Sequence, residues 1–131
     1  MTDQPGIKHP NEGVASALTH VDATGAAHMV DVGHKPVSDR YAVASGHIRM
    51  RLETFKAIQD NTLKKGDVTQ VARLAGIQAA KRTADLIPLC HPVTLSGVHI
   101  SINLEESLPG VRVEGRVSTT GQTGVEMEAL T

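Results

Sequence analysis

Large rings are almost missing from this chain: it has one Phe, one Tyr and no Trp among 131 residues. A core without them is filled by Val, Ile, Leu, Ala and Met, which bury less surface per side chain, so contacts between subunits are expected to add burial. Cysteine is equally scarce. The single Cys90 cannot close an internal disulfide, and no charged-then-apolar leader or apolar run of membrane length occurs. Together these point to a reducing, cytoplasmic setting and to no membrane partner. Excess charge is missing too: 13 Lys plus Arg face 14 Asp plus Glu, a net −1, so no overall field draws the chain to nucleic acid. Any anion site is built locally. The C-x-x-C, H-x-x-x-H and H-E-x-x-H spacings are absent, which leaves the seven histidines scattered and no metal site indicated.

Turning to what is present, the length suits one domain with a real core. Residues 1–17 are polar, carry two prolines and two glycines, and read as a flexible N-terminal arm. Residues 18–131 form the single domain. Within it, residues 28–32 (HMVDV) are expected as a short strand ended by Gly33 and the Lys35-Pro36 step, and residues 41–50 (YAVASGHIRM) as a second. Leu52, Phe55 and Ile58 recur at helical spacing. Asp67 with Gln70 three residues on resembles a capping box, and Val68, Val71, Ala72, Leu74, Ala75 and Ala79 then share one face of a helix reaching about Thr83. Gln78 falls inside that face, either where it meets a polar loop or reaching a pocket. Val98, Ile100, Ile102 and Leu104 alternate with polar residues, as do Val111, Val113 and Val117 beyond EESLPG, giving an antiparallel hairpin. Residues 125–131 have the composition of a helix start, with Leu130 still apolar at the end, which points to a continuing chain. The order of elements predicts an α+β fold, a ferredoxin-like sandwich with helices on one face of an antiparallel sheet.

Several groups could carry chemistry. In DLIPLCHP, residues 85–92, two prolines bracket Cys90 and His91. Adjacent side chains diverge, so adjacency is weak ground for a thiol–imidazole dyad, and Cys90 reads equally as a small buried hydrophobe. His91, on a stiff turn, suits acid–base work or a phosphate contact, and equally a hydrogen-bonded structural role. KKGD sets Lys64 and Lys65 just before a helix, a geometry that attracts anions, though the G-x-x-x-x-G-K-[ST] loop is absent. Lys35, Arg40, Lys81 and Arg82 add cations whose partners are either phosphates or surface carboxylates. Glu126 and Glu128 stand at a helix start, where the dipole already favours negative charge.

With MVDV, KKGD, LAGIQAAKRTADLIPLCHPV and TGVEMEALT in that order, the chain from about Leu18 to Thr131 resembles the molybdenum cofactor biosynthesis protein C (MoaC) family, the cyclic pyranopterin monophosphate synthases. The resemblance implies a ferredoxin-like homohexamer, a trimer of dimers with sites at dimer interfaces. It also implies a lyase reaction that converts a 3′,8-cyclised dihydro-GTP into cyclic pyranopterin monophosphate and pyrophosphate. On this likeness Leu89, Cys90 and His91 form a substrate-binding turn, joined by Met127 and Glu128. Lys65 and His91 are the implied catalytic pair, Lys35 and Arg40 contact the triphosphate, and Glu126 and Asp31 are weaker candidates. No resident cofactor is implied, and Mg2+ accompanying the triphosphate is left open. The family continues into a segment like YDM-K, which supplies an aspartate and a lysine; the chain ends before it, so the 131-residue form is expected to bind poorly or to lack turnover. A non-catalytic nucleotide sensor and an assembly subunit are the competing classes, since a fold of this kind hosts both.

Overall fold

Residues 19–64 and 66–131 are described by the computed structural model, in two units, Met1–Asp31 and Val32–Thr131. In the first unit, the Asp22 carboxylate accepts hydrogen bonds from the Thr24 amide (2.8 Å), the Thr24 hydroxyl (2.6 Å) and the Ala26 amide (3.0 Å). These bonds, the hydroxyl first, hold the Asp22 carboxyl below its ordinary value. Gly25 turns the chain at φ 85°, a conformation that suits a residue without Cβ, and Val21 bridges Ala27. The strand expected over residues 28–32 does not form. The bridge ends at Ala27, no ladder partner follows it among the described residues, and the apolar Met29 stays exposed. The arm expected over residues 1–17 lies outside the described residues.

The second unit runs β1 (Ser38–Arg49), α1 (Leu52–Gln59), α2 (Val68–Lys81), α3 (Thr83–Leu86), β2 (Gly97–Glu105), β3 (Gly110–Gly121) and α4 (Glu126–Leu130). The sheet order is β1-β3-β2. β3 pairs antiparallel with β1, from Ser38 opposite Gly121 to Arg49 opposite Gly110, and with β2, from Gly97 opposite Ser118 to Glu105 opposite Gly110. Consequently β1 and β2 run parallel on either side of β3. The alternation of Val98, Ile100 and Val117 with polar neighbours dictates which sheet face is covered. On that face Ala80 of α2, Val117 of β3 and Val125 form the buried cluster, with Ala42, Leu95, Val98 and Ala129 packed around it.

The N-cap of α2 is as its sequence predicts: the Asp67 carboxylate accepts from the Thr69 and Gln70 amides. The reciprocal bond of a capping box is replaced, because the Gln70 side chain accepts from Arg73 instead. The face that α2 buries is not the predicted apolar one. Val71 and Leu74 are 60% and 68% exposed, as are Ala75 and Gln78 in kind, while Gly76, Ile77, Ala80 and Thr83 turn toward the sheet. The reason is steric. A Cβ on Gly76 would sit 3.3 Å from the Ile100 side chain, so the small-residue face lets the helix axis descend on β2 where a Leu74 face could not. At 100° per residue this turns Val71 and Leu74 outward. Among the described residues no helix is long and apolar enough to cross a membrane.

Candidate functional site

The proline-framed turn is built by its backbone. α3 ends where the Ile87 amide donates to the Thr83 carbonyl (2.9 Å), and the Cys90 amide then donates to the Ile87 carbonyl (3.1 Å). Pro88 and Pro92 have no N–H to contribute and fix their own φ, so this turn stays open to few conformations. It delivers His91 into a concavity of about 360 Å³, lined also by Val32, Thr94, Thr119, Gln122 and Thr123. The Thr119 hydroxyl donates to the Thr94 carbonyl at 2.6 Å and ties the segment after His91 to β3. From the other side, the Arg40 Nε donates to the Gly121 carbonyl (3.1 Å) and an Nη to the Pro36 carbonyl (3.4 Å). Gln122 Nε2 donates to the carbonyls of Gly33 (3.0 Å) and Lys35 (3.1 Å). The turn bearing Lys35 is thereby attached to the His91 concavity.

Cys90 is half-buried. Burial pushes its thiol above the ordinary value and the charge of Glu128 adds to the rise, which works against a thiolate. Glu128 is only 6% exposed, and burial first, then the charge of Glu126, raises its carboxyl pKa. It does not line the His91 concavity. It faces a mostly apolar trough of about 300 Å³ between α2, α4 and the sheet, with Ala44, Gly76, Ile100 and Leu130. The predicted residues thus divide: His91 lines one concavity, to whose wall residues Gly121 and Gln122 the Arg40 guanidinium and the Lys35 carbonyl are hydrogen-bonded, Glu128 lines another, and Cys90 links them, adjacent to His91 and within reach of the Glu128 charge.

The remaining candidates are placed as follows. Leu89 is half-buried on the turn, whereas Glu126 and Met127 are exposed on the first turn of α4. A Cβ on Gly124 would overlap the Glu126 carboxylate, so glycine there lets that carboxylate fold back over the helix start. Gly124→Ala is expected to swing Glu126 away with a stability loss below about 1 kcal/mol; urea denaturation should show the loss vanish in a Glu126→Ala background. Asp31 belongs to the first unit, and Lys65 lies outside the described residues. Gln122 and Thr119 were not singled out by sequence reasoning. Their signal was TTGQTG, which reads simply as the end of a strand. Among the described residues no group of three or more His, Cys, Asp or Glu could hold a metal ion.

Comparison with known proteins bears directly on these residues. The MoaC family profile matches residues 29–131, which contain both the LCHP turn and the GVEMEAL helix start. The chain belongs to the MoaC family. A cyclic pyranopterin monophosphate synthase of Dinoroseobacter shibae is 60% identical to it over 116 residues, covering 88% of this chain and 73% of the relative. Enzymes of the same name from two strains of Cereibacter sphaeroides are 58% identical over the same shares. For a MoaC-family chain, the resemblance carried by the LCHP and TGVEMEALT strings is therefore a correct reading, as is the α+β class.

Proposed function

We propose that this protein is a cyclic pyranopterin monophosphate synthase, a lyase of molybdenum cofactor biosynthesis. It converts (8S)-3′,8-cyclo-7,8-dihydroguanosine 5′-triphosphate to cyclic pyranopterin monophosphate and pyrophosphate. The observation that carries the reading is 58–60% identity to synthases of that name across 88% of the chain. The site chemistry supports it. Rebuilding a purine as a pterin moves protons at ring nitrogens and at a sugar carbon, work suited to an imidazole fixed on a stiff turn, here His91. A hydroxyl then attacks the α-phosphorus, the bond to the β,γ-unit breaks, and pyrophosphate leaves. Lys35, Lys65 and the N–H groups of Arg40 not engaged with backbone carbonyls are assigned to the charge that grows on it. Leu89 and Cys90, with Glu126, Met127 and Glu128, are assigned to the base and sugar, and Mg2+ would arrive as part of the triphosphate substrate.

A ferredoxin-like sandwich is the finer fold reading. It is supported by β1 and β2 lying parallel with β3 between them, the split βαβ arrangement, joined by a connection that carries α2 across the sheet. A homohexamer, a trimer of dimers in the cytoplasm, is the proposed assembly; the exposed Val71 and Leu74 and the small set of buried apolar residues favour subunit contacts. Supplying the cyclised triphosphate to the purified protein carrying the family's YDM-K segment after Thr131 tests the function. One pyrophosphate released per pterin product is expected. Binding without release would replace the synthase by a nucleotide sensor, and neither binding nor release would leave an assembly subunit.

A further inference from the structure

We infer that Gln122 is a positioning residue for the triphosphate end of the site, acting through Lys35. A lysine side chain is a flexible stem with a compact charge, so what aims it is the backbone from which it springs. Here that backbone is a closed turn, with the Lys35 amide donating to the Val32 carbonyl at 3.0 Å. Two carbonyls of the turn, those of Gly33 and Lys35, receive both hydrogens of one amide nitrogen, Gln122 Nε2, at 3.0 and 3.1 Å. Two acceptors on one side of an amide require its nitrogen there and exclude its oxygen, so the chemistry itself fixes which way Gln122 points.

Gln122 is well placed to transmit rigidity. It follows directly on Gly121, the last residue of β3, which pairs with Ser38 and whose carbonyl accepts from Arg40 at 3.1 Å. It also lines the concavity that holds His91. One side chain thus borders the acid–base concavity and sets where the Lys35 turn stands relative to it. Asn would be too short to reach both carbonyls, and Glu would bring an acceptor against two acceptors.

The inference rests on the proposed role of Lys35 at the triphosphate, and the experiment keeps the two apart. GTP and GMP serve as probes, titrated calorimetrically into the full chain and into its Lys35→Ala, Gln122→Ala and double variants. Lys35→Ala should weaken GTP about tenfold and leave GMP nearly unchanged, the loss of one charge-assisted contact. Gln122→Ala should do much the same, and the double variant should be no weaker than Lys35→Ala alone, because a turn without its lysine gains nothing from being held. Gln122→Asn, which can keep one carbonyl, should fall between and stands in if Gln122→Ala melts below the assay temperature. Additive losses in the double variant, or equal losses for GTP and GMP, would overturn the role of Gln122. An unchanged GTP affinity in Lys35→Ala would overturn the assignment of Lys35 to the triphosphate.

Discussion

His91→Ala is expected to lose at least about a hundredfold in turnover, the usual contribution of a positioned acid–base group, while Cys90→Ser loses less than about tenfold. The two residues are neighbours on one turn, yet their surroundings differ. Cys90 is half-buried, and both its burial and the Glu128 charge hold its proton on, so the sulfur is poorly prepared to attack. Ser in its place keeps the size and adds only a modest desolvation cost. His91 borders a concavity lined also by Val32, Val93, Thr94 and Thr123, which a substrate nitrogen or hydroxyl can enter to meet its ring. Steady-state pyrophosphate release by variants of the form that carries the YDM-K segment, with circular dichroism to confirm folding, decides the matter. A dead Cys90→Ser beside an active His91→Ala would restore the thiol to the centre of the chemistry.

Glu128→Gln should make the protein more stable at higher pH. The carboxyl is nearly inaccessible and its pKa is raised from the ordinary 4.5 by burial and by Glu126. Between the ordinary value and the raised one, the folded protein holds more protons than the unfolded chain. Stability therefore falls as pH climbs through that window, and the whole penalty is present above the folded value. The amide has nearly the same shape and never ionises, so this part of the pH dependence should disappear. Thermal melts at about pH 5 and about pH 8 should converge in the variant relative to the parent. A variant less stable than the parent at the higher pH would mean that the charged carboxylate has a partner worth more than its burial costs.

Much of this fold is legible residue by residue. The β2–β3 hairpin and the Asp67 cap follow from alternation and cap chemistry, both local properties. What periodicity could not choose was the face of α2. Its apolar stripe and its small-residue face compete, and the choice rests on how closely Gly76 and Ala80 approach Ile100 and Val117, a distance set by the sheet. Residues 28–32 have a strand's composition, but a strand needs a ladder, and none of the described residues offers them one. The LCHP turn was recognisable by its prolines. Gln122 was not, because an amide near a strand end is unremarkable until the carbonyls it serves, 87 and 89 positions away, are brought to it.

Those separations bear on the order in which the molecule comes together. β2 and β3 are joined by the short segment between Glu105 and Gly110, so their pairing closes a small loop and should form early. β1 must be brought to β3 across most of the chain, and the Arg40–Gly121 bond that accompanies it spans 81 positions. The contacts that attach the Lys35 turn are of the same long-range kind. In refolding, the hairpin's signal should precede the appearance of triphosphate binding, with a lag set by the arrival of β1, so that binding competence is among the last properties the chain acquires.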